Sequence, residues 1–285
     1  MTNELEIILV GILVCACLAL PGVFLVLRGM SMMTDAISHT VLLGIVIGYF
    51  ISKDLSSPWL FVCSIIMGIF TVWFTELIYR TKLVHKDSAI GLVFPLFFSI
   101  GVILISKFAK NVHLDVEHIL FGEIAFAPFD RFETDTLDFG PKSLIITGII
   151  FLLNLVLIML FYKELKVSTF DEDYAKTIGL SPMLIHYLLM TLVSISSVGT
   201  FRSVGVILVI SFMVGPPLTA RLLTDKLSVM LILSIIIGAV DSVIGYLLAI
   251  YFDVSISGMQ ATVVGVVFLL TLALPIKKGI FKRKN

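Results

Sequence analysis

The sequence predicts an all-α, polytopic membrane protein, and three observations predict it. Its 285 residues are 59% hydrophobic and only 14% charged, against about a quarter charged in soluble domains. Mean hydropathy is +1.11. Apolar runs long enough to cross a bilayer, roughly 20 residues each, recur along the whole chain, so residues 1–285 read as one transmembrane domain. Acidic and basic residues balance at 20 each, which leaves no electrostatic footprint for nucleic acid.

The qualifying segments are about 5–27, 34–51, 58–79, 88–106, 143–162, 183–214, 227–252 and 259–276. That is about eight transmembrane helices, or nine if 183–214 counts twice. This segment is too long for a simple span and is interrupted at Gly199-Thr200-Phe201-Arg202-Ser203. One long broken helix and two short ones both fit. The first span follows Glu4 and Glu6 rather than the basic start and small-residue cleavage site of a signal peptide, so it reads as uncleaved. Lys277, Lys278, Lys282, Arg283 and Lys284 crowd the C-terminus, which the positive-inside tendency places in the cytoplasm. Eight spans then put the N-terminus inside and Asp35 near the outer surface; nine reverse both. Cys15, Cys17 and Cys63 fall in apolar segments and read as packing residues, with neither a disulfide framework nor a zinc cluster.

The stretch 27–50, LRGMSMMTDAISHTVLLGIVIGYF, begins like a loop and runs into an apolar segment with Asp35 and His39 just inside it. Four residues apart, the two side chains share one helix face. A carboxylate and an imidazole projecting together at the edge of a span make half a coordination site for a divalent transition metal. A helix start with Thr34 or Asp35 as N-cap and a packed His39 fits the spacing equally. Gly44 and Gly48 continue the stripe at a spacing that lets two helix backbones approach closely.

Residues 107–142 form the longest polar insertion. Its acids, with His113 and His118, show no chelating periodicity, while Phe121, Phe126, Phe129 and Phe132 predict an amphipathic segment lying on the surface. The connector 163–182 predicts a short extramembrane helix, starting at Ser168 or Thr169 and stopping at Gly179 before Pro182. In 215–226, Gly215-Pro216-Pro217 is expected to end the preceding span, because proline lacks an N–H. Leu218 to Thr224 would then form two helical turns between spans, either to dock a soluble partner or as an ordinary interfacial turn. Asp241 lies mid-span and must face protein or a watery cavity; it lines a pathway or bonds Ser242 or Ser234. Arg202 and Glu76 are close enough to an interface to snorkel. The chain has no phosphate-binding G-x-x-x-x-G-K-[ST] loop and no Ser-His-Asp, Cys-x-x-Cys or His-Glu-x-x-His element, so catalysis by this chain is not expected.

LRGMSMMTDAISHTVLLG, HILFGEIAFAPFDR, FDEDYAKTIGL and SVGVILVISFMVGPPLTARLL, in this order, resemble the membrane permease subunits of manganese/zinc ABC importers of the ABC-3 type. The likeness covers nearly the whole chain, and D-A-x-S-H is its specific element. It implies a type II-like ABC importer permease in the plasma (cytoplasmic) membrane, moving Mn²⁺ or Zn²⁺, or Fe²⁺, as cargo and holding no permanent cofactor. The partners it implies are a second permease chain (the same or a related one), a cytoplasmic ABC ATPase and an extracytoplasmic metal-binding lipoprotein. By the same likeness Asp35 and His39 match the metal-coordinating pair, and the segment from Gly215 to Thr224, including Pro216, Pro217, Leu218, Thr219, Ala220, Arg221 and Leu222, matches the coupling helix against the ATPase. Two departures stand out: Leu43-Gly44 where many members have Pro-Gly, implying a straighter helix below the pair, and Gly215-Pro216-Pro217 where many have a Pro-Ala-Ala run. A proton-coupled secondary metal transporter is the alternative that the D-x-x-x-H pair admits; such a carrier usually has a second matching pair, where here only Asp241 is available.

Overall fold

The computed structural model describes residues 3–54, 57–108, 122–134 and 137–274. Ten helices are described: α1 Asn3–Leu27, α2 Met32–Ser52, α3 Pro58–Arg80, α4 Lys86–Phe108, α5 Lys142–Leu160, α6 Tyr162–Phe170, α7 Glu172–Thr177, α8 Pro182–Leu223, α9 Leu227–Phe252 and α10 Ile256–Ala273. Between α4 and α5 lie a 3-10 turn, Ile124–Phe129, and a hairpin of β1 Arg131–Thr134 and β2 Leu137–Pro141. Nine stretches among the described residues are long and apolar enough to cross a membrane.

α1 is apolar all round and sits at the centre, as a helix without a polar face must. α8, α9 and α5 pack around it, and nearly every residue from Val10 to Val26 is buried. α2 packs on α3, α4 and α8. The expected close approach at Gly44 and Gly48 is present: a methyl on either would strike the backbone of α3 at Ser64 or Leu60. With leucine at 43, α2 runs unbroken.

Two faces of the bundle are defined by long-range contacts. At one, here the insertion face, Glu6 pairs with Arg131 at 3.0 and 3.2 Å, and Glu123 accepts from the Ser257 N–H at 3.0 Å and from the Ser255 hydroxyl. At the other, the connector face, Arg28 reaches Ser168 and Thr169.

α8 decides the span count. As one rod its 42 residues would extend about 63 Å, twice a bilayer core. Instead Gly205 takes φ 78°, ψ 166°, a conformation open essentially to glycine alone, and sits against the backbone of Gly122 at the insertion face. Met183 near one end of α8 meets Arg80 at 3.4 Å, and Arg221 near the other donates to the Val26 carbonyl at 3.1 Å. Both ends therefore lie at the connector face, and the segment crosses twice, as 182–201 and 203–223. The reversal falls two residues past the expected Gly199–Ser203 break.

Gly215-Pro216-Pro217 does not end this span; the helix continues to Leu223. The two prolines remove the N–H partners of the Phe212 and Met213 carbonyls, yet packing holds the helix through them. Pro216 lies against Gly238, Gly215 against Val264, and the freed Met213 carbonyl fills the space left by the missing side chain of Gly22 on α1. Tertiary contacts commonly rescue prolines in membrane helices.

The connector holds two helices where one was expected. Ser168 and Thr169 lie inside α6, and the cap of α7 is Asp171, whose carboxylate accepts from the Tyr174 N–H at 2.9 Å. Gly179 is the stop, with φ 83°. In the insertion, the described part is a 3-10 turn and hairpin rather than a single amphipathic segment, although Phe126, Phe129 and Phe132 are exposed as expected. His113, His118 and Phe121, and the basic C-terminal tail, lie outside the described residues.

Candidate metal site and docking face

Asp35 is on the first turn of α2, on the connector-face half of the bundle. Its neighbour Thr34 is fully buried and donates to the Met213 sulfur of α8 at 3.3 Å. With that face of α2 packed on α8, His39 meets α4. His39 Nε2 is 3.3 Å from Asp35 Oδ1, each side chain about 30% exposed. The imidazole stacks on Phe94 at 5.7 Å and meets the edge of Phe98 at 5.6 Å. These rings restrict its rotation and line the low-dielectric side of the pair.

The separation is a usable chelate bite. Metal–ligand distances of about 2.0–2.2 Å imply ligand–ligand edges of about 2.8–3.6 Å in octahedral or tetrahedral sites, and 3.3 Å falls inside. Two donors do not complete a site. No group of three or more His, Cys, Asp or Glu able to hold a metal occurs among the described residues, so the pair, partly open as it is, leaves coordination positions for a second chain or water.

Asp241 is elsewhere. It is 1% exposed on α9, which packs on α1, α8 and α10 while α2 packs on α3, α4 and α8. Neither expected serine partner is used: Ser242 accepts from Gln260 at 3.1 Å, and Ser234 donates to the Leu231 carbonyl at 2.9 Å. The carboxylate has no hydrogen-bond partner among the described residues. The structure does not bring it to Asp35 and His39.

Of the segment expected to dock a partner, Pro216, Pro217, Thr219 and Ala220 are buried, Gly215, Leu218 and Leu222 are half-buried, and Arg221 is exposed. What projects from the connector face is α6–α7. Glu172, Asp173, Tyr174, Lys176 and Ile178 are exposed there, with Lys176 3.2 Å from both acids and its pKa raised by those bonds. Sequence reasoning gave these acids no role; exposed Tyr174 and Ile178 beside them were the available signal. It also missed Arg28, whose Nη2 donates to Ser168 at 2.8 Å and Nε to Thr169 at 3.1 Å, tying the turn before α2 to the connector.

Nine apolar stretches of membrane-crossing length among the described residues, an acid–imidazole pair on a helix flank and a projecting polar connector define a polytopic membrane protein. The chain belongs to the ABC 3 transport family, whose model matches residues 3–275. It is 43% identical to the manganese transport system membrane protein MntD of Bacillus subtilis, over all of this chain and 96% of that protein. It is 48% identical to the zinc transport system membrane protein TroD of Treponema pallidum, over 98% of this chain and 76% of that protein. Among solved structures it resembles PsaBC from Streptococcus pneumoniae in complex with Fab, with TM-score 0.80 and 31% identity, covering all of this chain and 96% of that one.

Proposed function

We propose that this chain is half of the transmembrane pathway of an ATP-driven importer for a divalent transition metal, Mn²⁺ or Zn²⁺ and within reach Fe²⁺. The observation that carries the reading is the Asp35–His39 pair, 3.3 Å apart beside Phe94 and Phe98. Carboxylate oxygen and imidazole nitrogen suit all three ions and do not choose among them, so selectivity belongs mostly to an extracytoplasmic binding protein that delivers the ion. A second permease chain, identical or related, supplies the matching pair. ATP is hydrolysed on a cytoplasmic partner.

With nine crossings among the described residues and a cytoplasmic C-terminus, the N-terminus and the insertion face outward and the connector face is cytoplasmic. Asp35 then lies on the inner half of the pathway. The segment 215–226 keeps a coupling role through its exposed end at Arg221, and the larger docking surface is α6–α7. Closure of the ATPase pair against this surface becomes rigid-body motion of the spans, with Arg28 linking the connector to the head of α2.

Uptake of radioactive Mn²⁺ and Zn²⁺ by cells carrying Asp35→Ala or His39→Ala tests the reading. Accumulation falls to background while the complex still assembles; undiminished uptake in both variants removes the site. The proton-coupled alternative would place a second such pair on another span, and Asp241, the buried acid of α9, has no hydrogen-bonded imidazole beside it among the described residues. That alternative requires uptake into vesicles that persists without ATP.

A further inference from the structure

A cavity of about 420 Å³ opens at the connector face, between the ends of α1 and α3, α6 and the start of α8. Small-molecule pockets span about 300–1,000 Å³. Four charged residues line it: Arg28, Arg80, Glu76 and Glu172, with His186 beside them. Three of these have an ion-pair partner close by. Arg80 lies 3.4 Å from Glu76, and Glu172 lies 3.2 Å from Lys176.

Arg28 is not neutralised. Its two described hydrogen bonds go to neutral hydroxyls, Ser168 and Thr169, and among the described residues no carboxylate comes within ion-pair distance of it. Glu172 acts on it only at longer range, and burial pushes its pKa down to about 10, which still leaves it charged at neutral pH. A guanidinium has five N–H donors, more than two hydroxyls consume. The cavity therefore holds a largely desolvated cation with spare donors, a setting that favours an anion.

The remaining lining argues for an anion attached to an apolar body. Tyr79, Phe170 and Met183 border the cavity and are exposed. Tyr79 is next to the last residue of α3, and Met183 is the second residue of α8. Ends of spans lie at the headgroup level of a bilayer, where amphipathic aromatic side chains concentrate. A soluble phosphate would leave this apolar rim without a partner.

We infer that the cavity binds the phosphate of an anionic phospholipid from the leaflet on the connector side, with Arg28 as its principal partner and Tyr79, Phe170 and Met183 against the glycerol and first acyl carbons. Arginine offers phosphate a bidentate fork, and basic pockets between spans hold anionic headgroups in this way. The bound headgroup completes the polar bridge from the end of α1 to α6, so the lipid braces the connector.

The full chain, purified in mild detergent, is offered phosphatidylglycerol or phosphatidylcholine with matched acyl chains, and retained lipid is counted by native mass spectrometry. The wild type retains one phosphatidylglycerol per chain with about tenfold preference over phosphatidylcholine, as expected for a hydrogen-bonded charge contact. Arg28→Gln keeps amide donors for Ser168 and Thr169 but loses the preference; Lys163→Gln, an exposed charge on α6 outside the cavity, keeps it. Equal retention of the two lipids by the wild type overturns the inference without reliance on any variant. Unchanged preference in a folded Arg28→Gln overturns it as well. Millimolar inorganic phosphate that binds at Arg28 while phosphatidylglycerol does not would assign the site to free phosphate and refute the lipid.

Discussion

The Glu6–Arg131 pair offers a quantitative test of how the insertion is held. Glu6 is 2% exposed in the first turns of α1, and Arg131 of β1 meets both of its oxygens at 3.0 and 3.2 Å. Removing the cation alone, Arg131→Met, strands a buried carboxylate and costs about 3–5 kcal/mol. For a chain of this size that corresponds to about 6–20 °C in Tm. Replacing both partners, Glu6→Leu with Arg131→Met, removes the stranded charge and brings stability back to within about 1 kcal/mol of wild type, or above it. The assay is thermal unfolding in detergent at a fixed scan rate for all four members of the cycle. An Arg131→Met variant that melts within a degree of wild type would refute the reasoning, as would a double variant whose loss equals the sum of the single ones.

Other consequences are simpler to state. Gly44→Val forces a branched side chain against the backbone of Ser64, so it destabilises the α2–α3 contact by about 1–3 kcal/mol, measurable in the same melts. Phe94→Ala removes the ring stacked on His39, a contact worth about 0.5–1.5 kcal/mol; half-maximal uptake shifts to higher metal by up to about tenfold. Tyr174→Ala with Ile178→Ala clears exposed apolar surface from the connector. It weakens ATPase association by about thirtyfold, as for central interface contacts, while metal binding by the permease is unchanged.

Much of the fold was legible because each span carries its own signal, an apolar run of bilayer length. The pair at Asp35 and His39 was legible for a similar reason: a four-residue spacing on one helix is a local relation. What failed was tertiary. Pro216 and Pro217 are strong local stop signals, yet the span continues because Gly22, Gly238 and Val264, distant in sequence, shape its surroundings. The reversal at Gly205 depends on Gly122 across the insertion, a contact no window of α8 contains. Ser168 and Thr169 look like caps, and they serve instead as acceptors for Arg28, 140 and 141 residues away. Asp241 shows the converse: its mid-span position marks it as unusual, but position alone does not say which neighbours it faces.

The central claim is that Asp35 and His39 hold the travelling ion. X-ray absorption at the zinc edge, on the assembled transporter trapped with Zn²⁺, tests it most directly. The prediction is a shell of nitrogen and oxygen at about 2.0–2.1 Å with outer-shell scattering from imidazole that disappears in His39→Ala. Imidazole scattering that persists in that variant would contradict the account.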